Sequence, residues 1–210
     1  MAYLALVRHG LSEWNAKGWW TGWNNPPLTP QGHIEGQKAG EALKDISFDE
    51  AYVSDLLRAQ QTLDEIKKAL GKENMPTTIA PQIKERNYGD LAGKNKWEMK
   101  EKYGEEQFMK WRRSWDSPIP NGETLKDVYN RAIPYYESTI LPRLKEGKNI
   151  ILASSGNPLR AFVKYMENIS EQEITSYEIG TGEVYVYEID TEGRVVKKEI
   201  RSVNPDKLKV

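Results

Sequence analysis

The chain has 210 residues, with 30 basic and 31 acidic side chains and a formal net charge of -1 at pH 7. This balance produces no long-range field toward nucleic acid or an anionic membrane, so any anion site must be local. The absence of cysteine excludes disulfides, thiolate metal sites and cysteine nucleophiles. The first apolar run is too short for a signal peptide or a membrane span, so we expect a cytoplasmic protein.

The first predicted unit is a strand followed by a helix. Residues 3–7 form a short apolar run that is typical of a central strand. Thr29 and Pro30 supply an N-cap and a first-turn proline, and the apolar spacing that follows predicts a helix to about Lys44. The residues expected on its inward face are Ile34, Ala39, Ala42 and Leu43.

A second strand and helix follow, and then a segment of unusual composition. FDEAYVS predicts a strand, residues 56–70 predict a helix, and TTIAPQ predicts a strand at the sheet edge. The residues expected to face inward on the helix are Leu57, Ala59, Leu63, Ile66 and Leu70. Residues 85–121 are rich in Trp, Tyr, Arg and Lys. This composition predicts a lid-like lobe over a site more than a packed core.

The last part of the chain predicts a long helix, a strand with its helix, and a terminal pair of strands. The helix covers residues 123–144, and the apolar run NIILAS predicts a strand that is buried on both faces. SSGN and a helix over residues 159–166 follow, and EVYVYEID and VVKKEI predict an antiparallel pair. The pattern predicts one α/β domain over residues 1–210, a three-layer sandwich with a mostly parallel central sheet flanked by helices.

Two of the predicted strands end in polar residues beside a glycine, at RHG (8–10) and at SSGN (154–157). In a parallel sheet both ends open onto one crevice, where open α/β sheets bind ligands. A neutral imidazole there is a nucleophile, a base or a ligand, and the adjacent Arg8 favours an anionic partner. Further arginines that favour phosphate are Arg58, Arg86, Arg112 and Arg113.

Each of these residues, taken alone, also has an ordinary structural explanation. An arginine on a helix is most often solvated, and a lone histidine is often a structural one. The tryptophans at positions 14, 19, 20 and 23 can simply pack a loop over the sheet. The functional interpretation therefore depends on the joint pattern.

That joint pattern resembles the 2,3-bisphosphoglycerate-dependent phosphoglycerate mutases of the histidine phosphatase superfamily. The segments that carry the resemblance are RHGLSEWN, WTGWNNPPLTPQG, SDLLRAQQT, KERNYGDLAGKNK, KWRRSWD and ASSGNPLRAFVKY. RHG marks the superfamily, whereas TGW, ERxYG, GxNK and WRR single out the mutases.

The resemblance implies a histidine phosphatase-like α/β fold and the interconversion of 3- and 2-phosphoglycerate in glycolysis and gluconeogenesis. It further implies 2,3-bisphosphoglycerate as the priming phosphoryl donor, with no metal. The implied partners are small phosphorylated three-carbon acids, in a homodimer or homotetramer, with neither nucleic acid nor membrane.

The resemblance also implies a role for each matching position. His9 would be the nucleophile that becomes phosphohistidine, and Arg8 and Arg58 would grip the transferring phosphoryl group. Glu85 would be the general acid and base for the substrate hydroxyl. The positions that match pocket and substrate-binding residues are Ser12, Asn15, Thr21, Gly22, Tyr88, Lys96, Arg112, Arg113, Gly156 and Asn157.

The main departure from the family is Ser155, where the resemblance implies a second catalytic histidine that donates to the phosphoryl group. Serine is shorter and carries no positive charge, and the loss of such a donor typically costs on the order of a hundred- to a thousand-fold in rate. We therefore expect an enzyme that binds phosphoglycerates and turns over poorly. Ser155 is either a substitution introduced into a complete site or a natural residue of a degenerate relative. Leu11 is a smaller departure, since the mutases commonly carry Glu there.

Three functions remain open from the sequence. The leading one is a phosphoglycerate mutase impaired by Ser155. The second is a histidine-type phosphatase of small phosphoesters. The presence of Glu85 and of the GKNK and WRR segments argues against a phosphatase. The third is a non-catalytic phosphoglycerate-binding relative, for which Ser155 is the best argument.

Overall fold

The computed structural model describes residues 1–202, 204 and 205. Its strands are β1 (Ala2–Arg8), β2 (Glu50–Val53), β3 (Thr77–Ile79), β4 (Ile150–Ser154), β5 (Val184–Ile189) and β6 (Val195–Arg201). They form one sheet in the order β3-β2-β4-β1-β5-β6. β1, β2, β3 and β4 are parallel, whereas β5 is antiparallel to β1 and β6 is antiparallel to β5. The predicted mostly parallel sheet, its edge strand and its terminal antiparallel pair are confirmed.

The helices lie between and after these strands. The α-helices in the described part of the chain are α1 (Glu13–Ala16), α2 (Pro30–Glu41), α3 (Leu57–Leu70), α4 (Lys96–Arg113), α5 (Leu125–Tyr135), α6 (Leu141–Lys145) and α7 (Gly156–Met166). α4 is broken at Gly104, where φ is 82° and ψ is 162°.

Alternate residues of the central strands face two separate cores. Leu6 of β1 packs with Phe162 of α7 in one cluster, which also contains residues of α5. Val7, the next residue, packs on the other face with Ile66 of α3. Because helices cover both faces of the sheet, the predicted three-layer sandwich is confirmed.

α2 begins as predicted, and its buried face was predicted in part. The side chain of Thr29 caps the helix by accepting from a backbone N–H at 3.1 Å. Ile34, which was expected to face inward, is 44% exposed. The contact with α3 is made by glycines instead, and a Cβ at Gly40 would lie 2.6 Å from the Cβ of Ala69. Ala39 and Leu43 are 0% exposed, as predicted. The prediction was wrong at Ile34 and missed the glycine contact, because glycine gives no hydrophobic signal.

Two other helices differ from the prediction in detail. Leu57 of α3 is 37% exposed, whereas its neighbour Arg58 is 1% exposed and takes the inward position. The long helix predicted over residues 123–144 is interrupted by a π-helical turn at Tyr136–Ile140. This turn lies between Pro134 and Pro142, and proline has no backbone N–H to continue regular α-helical hydrogen bonds.

The aromatic segment over residues 85–121 packs a core of its own. The buried residues of this cluster, including Trp20 from an earlier loop, are Trp20, Leu91, Phe108, Trp111 and Ile119. The expectation of a covering lobe with little core was therefore wrong in part. Large aromatic side chains bury enough apolar surface to form a small cluster of their own.

Gly40 provides a test of the close contact between α2 and α3. In Gly40→Ala, overpacking against Ala69 should cost about 1 to 3 kcal/mol of unfolding free energy. This cost exceeds the roughly 0.5 to 1 kcal/mol that alanine gains over glycine in a helix. Urea unfolding of the single variant and of Gly40→Ala with Ala69→Gly measures the effect. A stabilised single variant would contradict the contact, and the double variant should recover part of the loss.

Candidate active site

The carboxyl ends of β1 and β4 lie side by side at one edge of the sheet. Arg8 is in register with Ser154, and the backbone N of His9 donates to the backbone O of Ser154 at 2.9 Å. α2, which follows β1, and α7, which follows β4, pack on opposite faces of the sheet. A crevice therefore opens between them, as expected at a topological switch point.

A cavity of about 70 Å³ occupies this crevice. The predicted site residues that line it are Arg8, His9, Asn15, Thr21, Gly22, Arg58, Glu85, Tyr88, Lys96, Arg112, Arg113, Gly156 and Asn157. Arg160 and Glu178 also line it, and sequence reasoning missed both. Ser12 and Ser155 are not among the lining residues.

His9 is held as one neutral tautomer. Its Nδ1 lies 2.7 Å from the backbone O of Gly10, which is only an acceptor, so Nδ1 carries the proton. Its Nε2 accepts a hydrogen bond from Nε of Arg58 at 3.1 Å, so Nε2 carries a lone pair. Burial, followed by the positive charges of Arg58 and Arg8, keeps the pKa of His9 well below its usual range. The ring is therefore a neutral imidazole with Nε2 ready to act as a nucleophile or a base.

The glycine after His9 is required by the close approach of α2. A Cβ at Gly10 would lie 2.2 Å from the backbone O of Gly32. The backbone N of Gly10 donates to Oγ1 of Thr62 at 3.0 Å, and this hydroxyl donates to the backbone O of Arg58 at 2.7 Å. The backbone after His9 is thus fixed to the first turns of α3.

Arg58 reaches the imidazole from the start of α3. Besides His9, its guanidinium donates to the backbone O of Asn24 at 3.0 Å and to that of Gly22 at 2.9 Å. Burial lowers the pKa of Arg58 to about 10, so it remains a cation at neutral pH. One side chain therefore orients His9 and also holds the loop that forms a wall of the cavity.

Glu178 links two of the predicted phosphate-binding arginines. Its carboxylate lies 3.7 Å from Nη1 of Arg8 and also pairs with Nη1 of Arg113. Arg8 donates in addition to the backbone O of Ile179. Burial lowers the pKa of Arg8, and it lowers that of Arg113 to about 10. No motif marks Glu178, because this link is made only by the tertiary fold.

Glu85 presents a carboxylate to the cavity that is held from two sides. Its Oε1 accepts from the backbone N of Arg86 at 2.6 Å and from Nδ2 of Asn157 at 2.8 Å. Asn157 also donates to Oη of Tyr88 at 3.0 Å and accepts from Nη1 of Arg160 at 3.0 Å. The carboxylate is 8% exposed, so its orientation is set by these neighbours.

Arg86 lies outside the cavity, whereas Arg160, which sequence reasoning missed, lines it. Arg86, a predicted phosphate ligand, is 0% exposed and does not line the cavity. It donates to the backbone O of Trp111 at 2.7 Å and so holds the end of α4. Arg160 lines the cavity, and burial lowers its pKa to about 9. Its spacing of three residues from Asn157 on a helix is the signal that could have identified it.

Lys96 begins α4 and is 8% exposed. Burial, followed by the charges of Arg112, Arg8 and Arg113, lowers the pKa of Lys96 to about 7. The cavity as a whole gathers six cationic side chains and two carboxylates, in a chain of net charge -1. Such a concentration of positive charge fits an oligoanionic ligand.

The two serines predicted in the site are N-cap residues of α1 and α7, and neither lines the cavity. Ser12 caps α1, since its Oγ accepts from the backbone N of Asn15 at 3.3 Å. Ser155 is the N-cap residue of α7 and is 0% exposed, and its Oγ makes no hydrogen bond among the described residues. A buried hydroxyl without a partner is uncommon in folded proteins.

The side chains that line the cavity indicate the chemistry it supports. Among the described residues, no group of three or more His, Cys, Asp or Glu is arranged to hold a metal ion. In the same part of the chain, no helix is both long and apolar enough to cross a bilayer. A neutral imidazole, a carboxylate and a set of fixed cations suit nucleophilic displacement at an anionic centre.

Comparison with known proteins agrees with this chemistry. The chain is 46% identical over 197 residues to the 2,3-bisphosphoglycerate-dependent phosphoglycerate mutase of Bradyrhizobium diazoefficiens, covering 93% of this chain and 95% of that protein. It is 45% identical over 199 residues to the mutase of the same name from Parvibaculum lavamentivorans, covering 94% of this chain and 95% of that protein.

Comparison with solved structures identifies proteins of the same fold. The solved structure of a mycobacterial glucosyl-3-phosphoglycerate phosphatase matches with a TM-score of 0.83 and 18% identity, over 97% of this chain and 100% of that chain. Residues 4–200 match the histidine phosphatase superfamily (branch 1). The chain therefore belongs to branch 1 of the histidine phosphatase superfamily and, within it, to the 2,3-bisphosphoglycerate-dependent phosphoglycerate mutase family.

Proposed function

We propose that this chain interconverts 3- and 2-phosphoglycerate through a phosphohistidine at His9, at a rate lowered by Ser155. The observation that carries the proposal is the state of His9, a neutral imidazole whose Nε2 lone pair is held inside a strongly cationic cavity. Family membership supports small phosphorylated three-carbon acids as substrates. Such acids bring both a phosphate and a carboxylate, which suit a cavity with several cations.

In the priming step, Nε2 of His9 attacks one phosphorus of 2,3-bisphosphoglycerate, and the bond between that phosphorus and its carbon-bound oxygen breaks. Glu85, in its protonated form, gives its proton to this departing oxygen, which leaves as a hydroxyl group. The single lone pair of Nε2 cannot attack phosphorus while it accepts the hydrogen bond from Arg58. The Nε–H of Arg58 therefore turns to a phosphoryl oxygen, where with Arg8 it neutralises developing charge.

In each turnover, the Glu85 carboxylate accepts the proton of the free hydroxyl of 3-phosphoglycerate as that oxygen attacks the phosphohistidine. The phosphorus–nitrogen bond breaks, His9 regains its neutral form, and 2,3-bisphosphoglycerate is formed. Nε2 then attacks the other phosphorus of this intermediate as in the priming step, Glu85 returns the proton to the departing oxygen, and 2-phosphoglycerate leaves with no net gain or loss of protons. Exclusion of water during this exchange separates a mutase from a phosphatase.

The cavity also fits 2,3-bisphosphoglycerate, which supplies the first phosphoryl group when bound. Arg8 and Arg58 lie beside His9 and would hold the transferring group. Lys96, Arg112 and Arg113 line the rest of the cavity and would hold the carboxylate and the second phosphate.

Ser155→His is the first test of this proposal. Ser155 does not line the cavity, so in this chain it gives no donor to the phosphoryl group. Restoring a histidine should raise the mutase rate on the order of a hundred- to a thousand-fold. The measurement is isomerisation of 3-phosphoglycerate with priming 2,3-bisphosphoglycerate, and Ser155→Asn is the control, since its side chain is larger than serine but uncharged. No gain in Ser155→His would contradict the assigned role of this position.

A histidine-type phosphatase is the second candidate, because serine is shorter than the histidine that the resemblance implies at this position, and a shorter side chain excludes less water from a phosphohistidine. In that case the unmodified chain releases inorganic phosphate from phosphoglycerates faster than it isomerises them. A non-catalytic binding protein would instead bind phosphoglycerates without any covalent change.

Covalent labelling tests the role of His9 directly. After incubation with 2,3-bisphosphoglycerate, the intact mass should increase by one phosphoryl group, and His9→Ala should remain unlabelled. The chain has two histidines, so His33→Ala is a matched control that should label normally. A label that persists in His9→Ala would place the nucleophile elsewhere.

Ligand binding should be coupled to proton uptake at Lys96. Its pKa of about 7 leaves it mostly neutral at pH 8 in the free protein, and a bound anion raises that pKa. Binding of 3-phosphoglycerate should therefore take up close to one proton at pH 8 and almost none at pH 6 from this group. Affinity should fall by up to about tenfold per pH unit above 7.

Calorimetry at pH 8 in two buffers of different ionisation enthalpy measures this proton number. Lys96→Arg keeps a permanent charge and should abolish the uptake. If the unmodified chain and Lys96→Arg take up the same number of protons on binding, a group other than Lys96 is responsible for the uptake.

A further inference from the structure

The backbone carbonyl of Glu85 accepts hydrogen bonds from two side chains that lie outside the cavity. Nε1 of Trp23 donates to this oxygen at 2.7 Å, and Nη2 of Arg131 donates to it at 2.9 Å. Neither residue lines the cavity. A carbonyl oxygen has two lone pairs, so these donors fix the peptide plane that carries Glu85.

Arg131 of α5 holds the chain on both sides of Glu85. Its Nη1 donates to the backbone O of Gln82 at 2.7 Å. Its Nε and Nη2 donate to the two carboxylate oxygens of Glu123, each at 2.9 Å. Glu123 in turn accepts from the backbone N of Asn87 at 2.8 Å. This bidentate pair therefore ties down the backbone before, at and after Glu85.

Trp23 connects the same carbonyl to the nucleophile. It lies between Gly22 and Asn24, whose carbonyls both accept from Arg58. Because Arg58 also donates to His9, the imidazole is connected to the backbone of Glu85 through these hydrogen bonds and the covalent chain of residues 22–24. The relative placement of nucleophile and carboxylate thus depends on this outer set of contacts.

We propose that Arg131, with Trp23, is a positioning residue that aims the Glu85 carboxylate at the substrate oxygen. The inference rests on the proposed function, in which Glu85 exchanges a proton with that oxygen. A displacement of about 1 Å at a reacting group costs on the order of a hundredfold in rate. Loss of the clamp should therefore slow proton transfer while the nucleophile itself stays intact.

The test compares two phosphoryl donors that differ in their need for Glu85. The departing oxygen of 2,3-bisphosphoglycerate must be protonated by the enzyme, whereas p-nitrophenyl phosphate releases p-nitrophenolate without a proton. Single-turnover rates of His9 phosphorylation from each donor are followed by quenching and intact mass. In Arg131→Gln we expect a loss on the order of ten- to a hundredfold with 2,3-bisphosphoglycerate, but about twofold or less with p-nitrophenyl phosphate.

Arg143 provides a matched control. It makes the same kind of bidentate pair, with both oxygens of Glu50 at 3.1 Å, and does not line the cavity. Arg143→Gln removes a comparable ion pair and should change neither rate. Trp23→Phe is a second variant, which keeps an aromatic ring and removes only the N–H donor. Because Trp23 is 45% exposed, this variant should fold, and it should show the same selective loss.

Glu85→Gln separates failure of this inference from failure of the proposed function. If Glu85→Gln slows both donors equally, Glu85 is not the acid and base, and the proposed function is wrong at that point. If Glu85→Gln is selective but Arg131→Gln and Trp23→Phe are not, only the positioning role is overturned. Arg131→Lys, which keeps one donor, should recover part of the selective loss.

Discussion

The hydrogen bond from Nε of Arg58 to Nε2 of His9 is the contact on which the rest of the site depends. It joins the end of β1 to the start of α3, sets the imidazole tautomer and anchors the neighbouring loop through Gly22. Its geometry requires a sheet that holds β1 in place and two helices that approach closely. The glycine contact at Gly40 and the buried apolar clusters therefore support the geometry of the candidate active site as well as stability.

The cavity illustrates a conflict between folding and binding. Burial disfavours the charged form of every cationic side chain that lines the cavity. This is why the pKa of Lys96 lies near 7 and that of Arg160 near 9. Glu85 and Glu178 offset part of this repulsion from within the cavity. The remaining positive charge favours an anionic ligand, since such a ligand supplies the negative charge that the cavity lacks.

Much of this arrangement could be predicted from the sequence because it follows from local patterns. Apolar runs indicated the strands, and RHG and SSGN indicated which strand ends meet. The errors share a physical cause. Ile34 was placed inward because packing by glycine leaves no hydrophobic period, and Arg86 was assigned to the ligand because charge alone does not reveal burial. Glu178 was missed because its partners are distant in the chain.

The place of β4 in the sheet has a consequence for biosynthesis. β4 lies between β1 and β2, although both precede it in the chain. His9 is made early, yet the backbone O of Ser154, which accepts from its N–H, is among the later parts to emerge from the ribosome. Contacts between such distant segments form slowly. A nascent chain therefore carries His9 before its neighbours are in place, and the candidate active site can form only after β4 has been inserted.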